Sequence, residues 1–147
     1  WELLKQAAEF IRARRGKGDG IIGDAVFAPV LARRAGLGLA GCDVFASAAG
    51  GLEVSEPAAD LPLALAMASS LRGAPVDASL AAAGEVGLGG ELRPVSRAAE
   101  RAREAARHGF KRIILPRPAE TGREAGEIRV VRAASIAEAL ELALPGG

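Results

Sequence analysis

Apolar residues recur at helical spacing over residues 2–15, with Leu3, Leu4, Ala7, Ala8, Phe10 and Ile11 on one side, and this pattern predicts an amphipathic helix. Residues 16–20 carry glycines that break it. A second helix is expected over 23–35, with Val26, Phe27, Val30 and Leu31 on one side and Gly36 as its stop. Residues 43–48 read as a strand, Gly50 and Gly51 as a turn, and 52–54 as its extended continuation. Residues 61–71 are apolar nearly all round, so this helix must be buried on several sides. Asp60 and Pro62 mark its start, while Gly73 and Pro75 end it.

Further on, residues 79–84 form a short apolar run, 87–90 a tight turn and 91–95 a returning strand, which together read as a hairpin. Ser96 is placed to cap a helix over 96–108, whose apolar side is Ala98, Ala102, Ala105 and Ala106 and whose stop is Gly109. Strands follow at 111–116 and 128–131, with a short helix expected over 119–124 between them. A closing helix spans 135–144, capped by Ser135. Interleaved strands and helices around a central hairpin predict an α+β domain. Its helices pack on a mixed sheet rather than on a doubly wound parallel one.

The composition sharpens this picture. In 147 residues, half of them hydrophobic, there is room for one domain with a real core. Aromatics make up only 3%, so the core is aliphatic and base stacking on aromatic platforms is nearly excluded. Cys42 and His108 are the only residues of their kinds, which rules out an intrachain disulfide and a Cys/His zinc site. A reducing, cytoplasmic setting is expected, and neither a transmembrane span nor a secretory signal is read.

The net charge of +1 hides a strong segregation. Residues 11–34 hold six cations (Arg12, Arg14, Arg15, Lys17, Arg33, Arg34) against two acids. Residues 35–92 hold seven acids against Arg72 alone. Residues 93–117 hold Arg93, Arg97, Arg101, Arg103, Arg107, Lys111, Arg112 and Arg117 against Glu100 and Glu104, a local excess of +6. Sixteen of the nineteen cations are arginine, whose fork suits phosphate and carboxylate. The basic helix over 96–108 is therefore the leading candidate for contact with a nucleic-acid backbone, its Glu100 and Glu104 being placed to pair with some of its arginines. Arg33, Arg34 and Arg72 are secondary candidates.

Other constellations carry less. Glu53, Glu56 and Asp60 form an acid cluster better explained by the helix N-terminus beside them than by a metal. Gly87, Gly89 and Gly90 join two expected strands with no following lysine, so they do not form a phosphate cradle, and no Walker motif occurs. Ser69 and Ser70, late in a buried helix, are expected to bond a carbonyl one turn back.

Three stretches carry a family resemblance. "GEVGLGGELRPV" at 84–95 resembles the hairpin motif of Lon-type protease domains. "AAERAREAARHGFKRIILP" follows it as helix then strand, and "DVFASAAGGLEVSEPAADLPLALAMASSLRGAPV" resembles the preceding strand, loop and helix. In detail, "EPAADLP" and "RHGFKRIILP" are most similar to the C-terminal Lon-like domain of the RadA (Sms) family of bacterial DNA repair and recombination proteins. The resemblance covers about residues 33–144. It divides the chain into a poorly matched segment 1–28 and a Lon-like domain 29–147 of the ribosomal protein S5 domain 2-like superfamily.

Lon proteases use a serine activated by a lysine. Counting along the family pattern places these positions at Ala58 and Ala99, which supply neither hydroxyl nor amine. The resemblance therefore implies a pseudo-protease. Its role would be to support a ring of subunits, expected to be hexameric, and to contact DNA while an upstream RecA-like ATPase drives branch migration. It implies no cofactor in this chain, with ATP, Mg and Zn belonging to upstream domains. The rival readings are a divergent Lon-like serine peptidase with a relocated nucleophile and a purely structural oligomerisation module.

Overall fold

The structure, a computed structural model, describes residues 12–15, 27–36, 42–45, 56–117 and 127–144. In chain order the elements are β1 (Arg12–Arg15), α1 (Phe27–Arg34), β2 (Cys42–Phe45), a 3-10 turn (Pro57–Ala59), α2 (Asp60–Arg72), β3 (Leu80–Ala82), β4 (Glu85–Val86), β5 (Leu92–Arg93), α3 (Ala98–Arg107), β6 (Arg112–Pro116), β7 (Arg129–Ala133) and α4 (Ile136–Ala143).

The centre is a parallel sheet of order β3-β6-β7, with Ala81 opposite Ile113 and Ile113 opposite Val130. Alternate residues of each strand enter different cores, as the period of two requires. Leu80, Ala82 and Ile114 pack with Leu31 of α1, Leu61, Ala64 and Leu65 of α2, and Ile136 and Leu140 of α4. Ala81, Ala83, Ile113 and Leu115 face the other way, against Ala98, Ala102 and Ala105 of α3 and against Ala58. Both faces are covered, which explains the near-continuous apolar runs in β3 and β6. On the α3 side most contacts are alanine, so that helix lies close to the sheet.

The α+β class holds, but the described strands do not join into one mixed sheet. The parallel sheet, the β1–β2 pair and the β4–β5 hairpin are separate ladders. The hairpin is also displaced from its expected place. The apolar run 80–82 pairs in parallel with β6, and it is Glu85–Val86 that pairs with Leu92–Arg93. Gly84 makes this division possible: a Cβ there would stand 3.2 Å from Leu61 Cδ2 and 3.4 Å from Pro116 Cγ. Without one, the Gly84 amide donates to the Ala58 carbonyl at 3.0 Å, and its own carbonyl accepts from Leu61 at 2.9 Å.

The N-terminal expectation is corrected as well. Arg12–Arg15, read as the end of a helix, is a strand antiparallel to Cys42–Phe45. Backbone pairing there overrides the local helical periodicity. Residues 2–11, 46–54 and 119–124, for which other elements were expected, lie outside the described residues.

Helix ends follow sequence signals with two exceptions. Gly73 is left-handed at φ 63°, and Ala74 donates to the Ser69 carbonyl at 3.2 Å. At the end of α3, Gly109 (φ 86°) donates to Ala106 and Phe110 to Ala105, a Schellman closure in which Phe110 returns to the α3-side core. Ser135 caps α4 by accepting from Glu138 N at 3.3 Å, and the Glu138 carboxylate reaches back to Ala134 N at 2.7 Å, a variant of the capping box. Ser96 does not cap α3. Arg97 takes the N-cap position with φ 59°, and no side chain caps that end. Ser69 bonds forward, to Ala74 O at 2.7 Å, because the chain folds back over it after Gly73.

Candidate functional site

The two positions assigned to a lost dyad lie on elements that meet. Ala58 belongs to the 3-10 turn leading into α2 and is 6% exposed. It packs in the same cluster as Ala98 and Ala102 of α3, and Ala99 immediately follows Ala98. The seam between turn and helix is closed by a charge pair from outside it. Arg101 donates to the Glu56 carboxylate, 45 residues away in sequence, and through Nε to the Ser96 carbonyl at 2.9 Å. Only 18% of the Arg101 side chain remains exposed. Glu56 is thus a partner for arginine, and Asp60 accepts from the Val86 amide at 3.1 Å, tying the start of α2 to the hairpin. Glu53, the third acid of that cluster, lies outside the described residues.

The hairpin is similarly braced. Leu92 donates to Ala134 O at 2.8 Å, and Ile136 donates to Gly90 O at 2.9 Å. Gly90 has φ 84°, and a Cβ there would come within 2.6 Å of Arg34 Cβ. The Glu91 carboxylate folds over the turn, and hydrogen bonds from its own and the Gly89 amide, with Arg93 beside it, hold it below the usual carboxylate range.

The basic block is much less positive in space than in sequence. Arg93 pairs with Glu85 at 3.2 Å and with Glu91 at 3.0 Å, and Arg97 pairs with Glu100. Arg107 pairs with Glu104 at 3.2 Å, and His108 also meets Glu104 at 3.3 Å. Arg112 reaches Asp77 at 3.2 Å and Arg117 reaches Glu138 at 2.7 Å. Six of the eight cations of residues 93–117 are therefore ion-paired, four of them to an acid that sequence spacing on a helix does not reveal. Those six meet seven carboxylates, so with Arg103 and Lys111 counted the local excess falls from +6 to +1.

Several of these acids show the effect of their partners. Asp77 is held below its ordinary 3.8 by the Ser79 amide and hydroxyl, and then by Arg112. Glu138 is held below 4.5 by the Ala134 amide and then by Arg117, and Glu100 by Arg97.

Among the residues whose side chains are described, Arg33, Arg34, Arg72, Arg103, Lys111 and Arg129 form no ion pair, and Arg132 reaches the Arg117 carbonyl. Arg129 was not among the sequence candidates. It opens β7 directly opposite Arg112, a neighbour that only the parallel register reveals. Among these residues no three His, Cys, Asp or Glu come together as a metal group, and no helix is long and apolar enough to cross a membrane.

Residues 48–119 match the family model described as subunit ChlI of Mg-chelatase. The chain is 44% identical over 116 residues to the DNA repair protein RadA of Synechocystis, which is 79% of this chain and 23% of that protein. It is 52% identical over 92 residues to RadA of Escherichia coli, covering 63% of this chain and 20% of the relative. Against RadA of Bacillus subtilis it is 43% identical over 118 residues, 80% of this chain and 26% of the relative. The chain thus spans about a quarter of the length of the relatives it matches.

Proposed function

We propose, from the premise that this chain is homologous to a segment of the bacterial DNA repair protein RadA, that it is a non-proteolytic Lon-like scaffold domain of a RadA-type protein. The identity to RadA carries the reading. In this role the domain helps hold subunits in a ring, taken as a hexamer, and touches the DNA backbone while an upstream RecA-like ATPase supplies ATP-driven branch migration in the cytoplasm. ATP, Mg and Zn belong to that upstream part.

Two features support the absence of peptidase chemistry. A methyl group at position 58 sits 6% exposed against the alanines of α3, and position 99 has no amine to activate a hydroxyl. The Ser69 hydroxyl on α2 donates to the Ala74 carbonyl at 2.7 Å. A purely structural module is the second reading, favoured by the pairing of six of the eight cations in the basic block.

Casein hydrolysis and labelling by a fluorophosphonate test the chemistry. The expected result is neither, and labelling abolished by Ser69→Ala or Ser70→Ala would reinstate the peptidase. Light scattering tests assembly. Concentration-dependent association beyond a monomer is expected, and a monomer at high concentration, in the full-length protein as well, would remove the ring.

A further inference from the structure

We infer that the surface contacting the phosphate backbone is the rim of the parallel sheet where β6 and β7 begin, with Arg103, Lys111 and Arg129 as the contacting cations. The inference rests on the reading that this domain touches DNA and names the face that does so.

Topology assembles the rim. The Arg129 amide donates to the Lys111 carbonyl at 3.0 Å, and the Lys111 amide donates to Ser79 O at 2.9 Å, so three strand starts are laced together at one end of the sheet. Arg112 lies opposite Arg129 in the register. α3 descends to the same end, and its last carbonyls are closed by Gly109 and Phe110. That closure removes the free acceptors that would repel a phosphate at a helix C-terminus. Arg103 precedes Arg107 by one turn on this helix.

Charge then selects among the cations. Arg103, Lys111 and Arg129 are exposed and have no ion pair among the described residues. Among the described residues, the acids near these cations are Asp77, engaged by Arg112, Glu104, engaged by Arg107 and His108, Glu100, which pairs with Arg97 and lies in the field of Arg103, and the exposed Glu127. Among the described residues, three cations without an ion pair are thus set against one carboxylate without one. A cation already holding a carboxylate must surrender that contact to reach a phosphate. An unpaired one adds its full share of counterion release. The hairpin cation Arg93 and the α3 cations Arg97 and Arg101 are all committed.

Fluorescence anisotropy of the whole chain with labelled single-stranded and duplex oligonucleotides tests this. Arg103→Ala/Lys111→Ala/Arg129→Ala is expected to weaken binding at least tenfold and to shrink the salt slope by about 2–3, at ~0.9 per lost contact. Arg93→Ala/Arg97→Ala should leave both unchanged, with circular dichroism confirming the fold of every variant. If the second variant, or Arg33→Ala/Arg34→Ala/Arg72→Ala, loses affinity while the rim variant keeps it, the face is wrong and the DNA reading stands. If the unmodified chain binds neither oligonucleotide, the DNA reading itself fails and the rim with it.

Discussion

Replacing Arg101 by alanine separates a brace from a ligand contact. Arg101 lies on the most basic helix, where sequence spacing makes it a phosphate candidate. The structure instead spends its guanidinium on the Glu56 carboxylate and the Ser96 carbonyl, at the junction of the turn bearing Ala58 and the start of α3. A hydrogen bond to a charged group contributes ~1.5–3 kcal/mol when well shielded. Glu56 is 55% exposed, which pulls the pair toward the ~0.2–1 kcal/mol of surface ion pairs. The carbonyl bond and the stem of a side chain only 18% exposed add to it. The net expectation is a loss of about 1–2 kcal/mol. At about 2–4 °C per kcal/mol for a domain approaching this size, the melting temperature drops by a few degrees. Thermal denaturation of Arg101→Ala, Glu56→Ala and the double variant isolates the coupling, since the second substitution should cost less once the first is made. DNA affinity should be unchanged. An unaltered melting temperature together with weakened DNA binding would refute the brace and return Arg101 to the contact surface.

Other substitutions probe the fold that presents the rim. Leu61→Ala removes a side chain that is fully buried between α2 and Gly84, and should cost ~2–5 kcal/mol in a denaturant titration, a cost under 1 kcal/mol arguing against that packing. Gly90→Ala meets both φ 84° and Arg34 Cβ at 2.6 Å, so a loss of about 1–3 kcal/mol is expected, and a neutral result would contradict the turn geometry. The lowered carboxyls of Asp77 and Glu138 fix a pH dependence. A group depressed on folding stabilises above its unfolded value and loses that contribution as pH falls through the folded one. The melting temperature should thus hold at neutral pH and fall once pH drops toward 4.5 and then 3.8, the ordinary values of these groups. Glu138→Gln should lower the neutral-pH plateau and flatten the acid limb, and an unchanged acid limb would count against the Ala134 and Arg117 contacts.

Most helices were legible because their signals are local. Gly73 and Gly109 stop α2 and α3, and Ser135 with Glu138 opens α4. The sheet was harder. Leu80–Ala82 and Glu85–Val86 are nearly contiguous, and only the close approach of Leu61 and Pro116 at Gly84 sends them into different ladders. The start of α3 was misread for a related reason, since Arg97 is held at the N-cap in a left-handed conformation that a sequence rule reserves for glycine. At the candidate site, spacing on one helix exposed Glu100 and Glu104 as partners. It could not show Glu56, Asp77, Glu85 or Glu138, which arrive from other elements, nor that Arg129 stands beside Arg112.

The central claim is that a homologue of a RadA segment, with alanines where a dyad would stand, works by touching a nucleic-acid backbone. The most direct test is the affinity of the unmodified chain for labelled DNA between about 50 and 200 mM salt. The account predicts a log–log slope near −3, at about −0.9 per duplex phosphate contacted by Arg103, Lys111 and Arg129. No binding at the low end of that range, or an affinity indifferent to salt, would contradict it.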